Sequence, residues 1–149
     1  MNLFTPDLRK ERVTEITPEV LRALGVKGVI VDLDNTLGGY DDPLPPPDVI
    51  EWAKGIAAAG FPLGIVSNNS HKKRVSAYAA ALGVPWKRWA LKPLAFKLRS
   101  AAREMGLKRR EVCKVGDKVW NDVVGARLAH MKVILVTSVA KLKQREKEE

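Results

Sequence analysis

The chain has little with which to staple or anchor itself. Its one cysteine, Cys113, has no partner for an internal disulfide and cannot build a cysteine cluster for zinc. In the run Val112-Cys113-Lys114-Val115 it reads as a small core residue. The two histidines, His71 and His130, lie far apart and read as surface or helix-end residues rather than ligands. Aromatic residues are sparse, and the four tryptophans among them read as core or rim packing rather than as stacking platforms. No apolar stretch approaches the roughly 20 residues of a membrane span. The start, Met1-Asn2-Leu3-Phe4-Thr5-Pro6-Asp7, lacks the signature of a signal peptide. The expectation is a cytoplasmic protein, and peripheral contact with a membrane is compatible with it. With no internal repeat and no linker, the 149 residues read as one domain with a core at about 14–136, an N-terminal extension at 1–13 and a charged tail at 137–149.

What the chain does have is positive charge, unevenly spread. The net charge is +9, yet Lys72 to Lys114 holds 13 Lys or Arg against Glu104 and Glu111, a local balance of 13 − 2 = +11. The remainder is therefore slightly acidic. Such a block suits an anionic partner: a phosphorylated substrate, an acidic lipid surface or nucleic acid. Near the start, Leu3, Phe4, Leu8 and Val13 interleave with Arg9, Lys10 and Arg12, a pattern that suits either a membrane surface or packing against the domain.

Punctuation along the chain predicts an alternating fold. Thr17-Pro18-Glu19 opens a helix that Gly25 stops, and Gly28 to Leu33 is a β-branched run of the kind buried on both sheet faces. The turn-rich stretch Gly38 to Pro47 leads to a helix over Asp48 to Ala59. Pro62 to Val66 is a strand, Ser70 caps a helix to Leu82, and Trp86 to Leu91 holds a short third strand. A helix from Pro93 to Met105, a strand over Glu111 to Val115, a helix over Trp120 to His130 and a strand over Lys132 to Val136 complete the pattern. This alternation predicts an α/β fold, a five-stranded parallel sheet with helices on both faces. Lys141 to Glu149, charged throughout, reads as a frayed helix or disordered tail.

Ligands of an open parallel sheet bind beyond the carboxyl ends of its strands. There the sequence delivers Asp32 and Asp34, then Ser67 and Asn68, then Lys92, then Asp117 with Asp122 close behind. These residue types suit phosphoryl transfer. A carboxylate at Asp32 can attack phosphorus and split hydrolysis into two steps. Asp34 can protonate the departing alkoxide and then deprotonate the attacking water. Magnesium fits the site because it takes oxygen ligands and bridges carboxylate to phosphate, with Asp32 and Asp117 as direct ligands, the carbonyl of Asp34 a candidate third, and Asp122 placed to orient a metal-bound water. Ser67, backbone N–H groups and Lys92 can meet the charge of the transferring group.

The motifs Asp32-Leu33-Asp34-Asn35-Thr36, Ser67-Asn68-Asn69, Lys92-Pro93 and Gly116-Asp117-Lys118-Val119-Trp120-Asn121-Asp122, in that order, resemble the four signatures of the haloacid dehalogenase superfamily. The resemblance implies a Rossmann-like sheet. It also implies Asp32, Asp34, Ser67 and Lys92 as catalytic residues; Asn35, Ser67, Asn68 and Lys92 as phosphate-binding; and Asp32, Asp34, Asp117 and Asp122 around magnesium. Ile16-Thr17-Pro18-Glu19, Gly28 to Leu37, Ile65 to Asn69, Lys92-Pro93-Leu94 and Val115-Gly116-Asp117 extend the resemblance to the YqeG-type branch of subfamily IIIA, over roughly residues 14 to 136. That branch is similar to phosphatidylglycerophosphate phosphatases, which implies a lipid-borne phosphate.

Larger members of the superfamily insert a cap domain after the first motif or between the second and third. Here 24 residues separate Ser67 from Lys92, so no cap fits and the site is expected to be open unless a second copy of the chain covers it. A soluble sugar or nucleotide phosphate is the alternative substrate. A non-catalytic RNA-binding module using the basic segment is the alternative from another class, and the intact set of Asp32, Asp34, Ser67, Lys92 and Asp117 argues against it.

Overall fold

Local signals set the first helix, α1 (Pro18–Leu24): the Thr17 hydroxyl accepts the Val20 N–H, proline occupies the first helical position, and Gly25 closes the helix in the left-handed conformation at φ +81°. In the computed structural model, which describes residues 2–68, 71–88 and 94–148, this helix leads into a parallel sheet. Its strands are β1 (Leu8–Lys10), β2 (Gly28–Val31), β3 (Leu63–Ser67), β4 (Trp86–Arg88), β5 (Val112–Gly116) and β6 (Lys132–Val136), in the order β1-β6-β5-β2-β3-β4. Each neighbouring pair is parallel.

Every residue of β2, β3 and β5 is buried, because helices cover both faces. Side chains alternate across the sheet. Val29, Val31, Ile65, Cys113 and Val115 face a core built with α2 (Pro47–Ala58) and α3 (Lys72–Leu82), which contribute Trp52, Ile56, Tyr78 and Leu82. Ile30, Val66, Val112 and Val133 face the other core, against Leu94, Leu98 and Ala102 of α4 (Leu94–Glu104) and Ala126 of α5 (Val124–Leu128). Cys113 lies in the first core, and burial pushes its thiol up to about 12, as suits a packing residue.

The structure departs from the expected elements at both ends. There are six strands rather than five, because Leu8–Lys10 adds an edge strand to β6. Three residues of the segment 1–13, Leu8–Lys10, are thus part of the sheet, and Asp7 anchors them by accepting from Arg127 at 2.9 Å and from the Val133 N–H at 2.8 Å. The charged tail is a helix, α6 (Val139–Glu148). Its polar sequence is held by Arg145–Glu11, Arg12–Glu146 and Lys143–Asp42 ion pairs and by Asn35, whose carbonyl accepts the Val139 N–H and whose side chain accepts the Ala140 N–H. The helix expected over 120–130 begins as a wider π turn at Val119–Val123, where Asp122 and Val123 both donate to the Lys118 carbonyl, and only then becomes α5. The expected third strand ends at Arg88, and residues 89–91 lie outside the described residues. Among the described residues, no helix is long and apolar enough to cross a membrane.

Candidate active site

Three strand ends build the site. Asp32 leaves β2 with its N–H donating to the Val115 carbonyl at 3.0 Å, which ties the end of β2 to that of β5 and draws Asp32 toward Asp117. The π turn after β5 then folds Asp122 back. Carboxylate oxygens of Asp32, Asp117 and Asp122 all lie within 4.8 Å of one another. Burial pushes Asp32 up to about 7, with the charges of Asp122 and Asp117 adding to it and Lys114 opposing. Asp117 is pushed up to about 6 by burial and then by Asp122, and its Oδ1 is buried without a hydrogen-bond partner. An all-oxygen cluster short of positive charge, with a buried lone pair to spare, fits a hard divalent cation.

Asp122 is committed on both oxygens. Oδ1 pairs with Lys114 Nζ at 3.0 Å, and Oδ2 accepts the Lys118 N–H at 2.9 Å. Lys114 is fully buried in mid-strand and also donates to the Val115 carbonyl at 3.1 Å. Gly116 makes room for this arrangement, since a Cβ there would lie 2.0 Å from Asp122 Cγ. Asp122 therefore stands behind Asp32 and Asp117 as a braced member of the group.

Asp34 lies outside the trio. Its Oδ1 accepts from Arg74 Nη2 at 3.0 Å and from Nε at 3.2 Å. The same guanidinium donates to the Gly39 carbonyl at 2.7 Å and to the Asp42 carbonyl, and stacks over Tyr78 with its centre 4.8 Å from the ring centroid. The Tyr78 hydroxyl donates to the Asp42 carbonyl, and Gly38 lies so close that a Cβ would meet that hydroxyl at 2.2 Å. One α3 residue thus joins Asp34 to the loop at Gly38–Asp42. Lys118, beside the Tyr40 hydroxyl, is raised above the ordinary lysine range by Tyr40 first and by Asp117 and Asp32 after it.

Of the residues chosen from sequence, Asp32, Asp117 and Asp122 converge, with Asp34 next to them on the loop after β2. Ser67 is buried at the end of β3, the strand beside β2. Asn68 is exposed. Asn35, at φ +63°, is buried, and its side-chain oxygen accepts the Ala140 N–H of α6. Lys92 lies outside the described residues. Arg74, Lys114 and Lys118 were not among the chosen residues. Lys118 stood inside the fourth motif without a role, whereas Arg74 and Lys114 were visible only as cations of the basic segment, their partners lying 40 and 8 residues away.

Residues 11–130 match the model of the haloacid dehalogenase-like hydrolases, which covers most of the chain. The chain belongs to that family. The haloacid dehalogenase-like chain is also 39% identical, over 137 residues, to a probable phosphatase, YqeG, of Bacillus subtilis strain 168, covering 92% of this chain and 79% of that protein. The resemblance drawn from the motifs therefore holds at the level of the family and of the phosphatase class. Solved structures agree on the fold. The cobalt-bound deoxy-D-mannose-octulosonate 8-phosphate phosphatase of Haemophilus influenzae superposes with a TM-score of 0.61 at 16% identity, over 81% of this chain and 75% of that one. A 2-haloacid dehalogenase of Pseudomonas syringae gives 0.55 at 16%, over 74% and 86%.

Proposed function

We propose that this haloacid dehalogenase-like enzyme is a magnesium-dependent phosphomonoesterase working through an aspartyl-phosphate on Asp32, with phosphatidylglycerophosphate the substrate to test first. The observation that carries the reading is a division among carboxylates. Asp32, Asp117 and Asp122 share one cluster, whereas Asp34, two residues from Asp32, is turned to Arg74. Asp32, Asp117 and Asp122 are the residues to hold magnesium, which when bound supplies the positive charge that the cluster and a phosphoryl group both lack.

In the proposed reaction a carboxylate oxygen of Asp32 attacks phosphorus, the bond from phosphorus to the leaving oxygen breaks, and Asp34 gives that oxygen its proton. Water then attacks the phosphorus of the acyl-phosphate and passes a proton to Asp34. Inorganic phosphate leaves and Asp32 is restored. The family resemblance assigns to the Ser67 hydroxyl a hydrogen bond to a phosphoryl oxygen and to Lys92 the neutralising ammonium.

The support for a lipid-borne phosphate is the apolar surface on the loops beside the site. Tyr40 and Leu44 on the loop after β2 are exposed, and Trp120, three residues after Asp117, is 75% exposed with Phe4 packed edge-on against it at 5.2 Å. Aromatic rings with one polar end suit a bilayer interface. Of the basic trio Lys72-Lys73-Arg74, Arg74 is taken by Asp34, which leaves Lys72 and Lys73 to meet anionic headgroups at the cytoplasmic face.

A magnesium-dependent screen tests both parts, with phosphatidylglycerophosphate in mixed micelles beside p-nitrophenyl phosphate and glycerol 3-phosphate. The expected result is turnover of all three that stops in Asp32→Asn, with the highest kcat/KM on the micellar lipid. Full activity in Asp32→Asn removes the mechanism. A preference for glycerol 3-phosphate removes the lipid and leaves the mechanism.

A further inference from the structure

The structure redistributes the basic segment. Arg74 pairs with Asp34, Lys87 with Glu104 and Lys114 with Asp122, so three of its cations are neutralised inside the fold or along it. Five others, Arg99 and Arg103 of α4 with Lys108, Arg109 and Arg110 of the turn before β5, line one open recess of about 800 Å³ together with His130. Among the described residues no carboxylate lines it. The segment's two acids are engaged elsewhere, Glu104 by Lys87 and Glu111 by Lys27 and the Lys108 N–H. Among the described residues no ion pair reaches any of the five cations. Arg103, Lys108, Arg109 and Arg110 are exposed, while Arg99 donates to the Leu128 carbonyl and keeps a buried Nε without a partner.

Position decides what such a recess can serve. It lies at the amino ends of β5 and β6, whereas Asp32 and Asp117 lie at the carboxyl ends of β2 and β5. The five residues of β5 put roughly 15 Å of strand between them. A ligand here does not compete with a phosphoryl group at Asp32. A bilayer seated here would turn the catalytic end toward solvent, and the recess is concave where a bilayer is flat.

We propose that this recess is a second binding site, for the backbone of a nucleic-acid duplex, read without regard to sequence. Four of the five cations are arginines, whose planar fork matches pairs of phosphate oxygens. Among the described residues the lining contains no Phe, Tyr or Trp, and the lone imidazole of His130 is too little for a platform on which successive unpaired bases would stack, which favours a paired backbone over a single strand. From sequence, nucleic-acid binding and catalysis were competing readings of one basic block. In the fold they occupy opposite ends of the sheet, and the inference stands independently of the reaction proposed above.

The test is anisotropy of a fluorescein-labelled DNA duplex of about 20 base pairs, titrated between about 50 and 200 mM salt, with wild type, Arg103→Gln/Arg109→Gln/Arg110→Gln, the matching triple lysine variant and Lys72→Gln/Lys73→Gln. Four exposed cations predict a slope of log affinity against log salt of about −3 to −4. The triple glutamine variant is expected to bind at least tenfold more weakly, the triple lysine variant to keep the wild-type salt slope while binding about threefold more weakly for want of the arginine fork, the Lys72/Lys73 variant to bind nearly as wild type does, and the two recess variants to hydrolyse p-nitrophenyl phosphate as wild type does. Absence of duplex binding at the lowest salt overturns the proposal. So does wild-type binding by the triple glutamine variant, loss of binding in the Lys72/Lys73 variant instead, or binding of anionic vesicles through this recess while the duplex is ignored.

Discussion

Lys114 Nζ lies 3.0 Å from Asp122 Oδ1 with both side chains almost fully buried, an ion pair set directly behind the carboxylates of the site. Breaking one half of such a pair leaves an uncompensated charge in the interior, which typically costs about 3–5 kcal/mol. Lys114→Met is therefore expected to lower the urea-unfolding free energy by about that amount, and Lys114→Met/Asp122→Asn to recover much of it. A loss in the single variant that the second substitution does not relieve would mean that packing volume, not charge, is what Lys114 supplies.

Arg74 holds Asp34 and the Gly39–Asp42 loop with one guanidinium, so its removal should be felt at the proton transfers. General acid help matters most when the leaving oxygen is a poor one. Arg74→Gln is expected to reduce kcat on glycerol 3-phosphate by roughly tenfold to a hundredfold, inside the twofold to about 160-fold span of coupling between contacting residues, and to reduce it less on p-nitrophenyl phosphate. In an Asp34→Asn background the difference between the two substrates should vanish. Equal losses on both substrates would reduce Arg74 to a support for the loop.

The raised carboxyls make a prediction about pH without any metal. Asp32 and Asp117 bind a proton more tightly when folded than at their ordinary value near 3.8, being pushed up to about 7 and about 6. Their contribution to stability is thus complete below about pH 4 and is lost as pH rises through 6 to 7. In a chelator the melting temperature should fall over that window, and Asp32→Asn should be more stable than wild type at pH 8 but not at pH 5. Magnesium should raise the wild-type melting temperature more at pH 8 than at pH 5.5. A magnesium effect independent of pH would contradict the assignment of these groups as its ligands.

Gly116 offers a narrow steric probe. Alanine there would drive its Cβ to 2.0 Å from Asp122 Cγ, so the carboxylate must leave the position at which it meets Asp32 and Asp117. Gly116→Ala is expected to fold and to lose most of its magnesium affinity by calorimetry. Unchanged affinity would place Asp122 outside the group that holds the cation.

The central part of this design was legible because its signals are local. The Gly28 to Leu33 run and the glycine stops at 25, 60, 83 and 106 announce strands and helix ends in a few residues, and the motif carboxylates follow strands at short intervals. What was missed depends on partners far along the chain. Leu8-Arg9-Lys10 is too short and too charged to show alternation, and its strand exists because β6 offers an edge. The tail, which sequence left between a frayed helix and disorder, is settled as a helix by Glu11, Arg12, Asn35 and Asp42. Lys114 sits in a strand where a lysine reads as solvent-facing, and only Asp122 on the π turn explains its burial.

The pairing of β1 with β6 sets an order on how this chain can be completed. Leu8 sits opposite Ile134, a separation of 134 − 8 = 126 residues, whereas β2 finds β3 and β5 within closer reach. During synthesis the first strand has no edge to join until nearly all of the chain has emerged, so it must wait as a solvated segment while the strands bearing the catalytic residues assemble. It is then the strand most easily surrendered. Amide hydrogens of Leu8–Lys10 should exchange well ahead of those in β2 and β5, and the loosened segment would leave the sheet before the catalytic strand ends come apart.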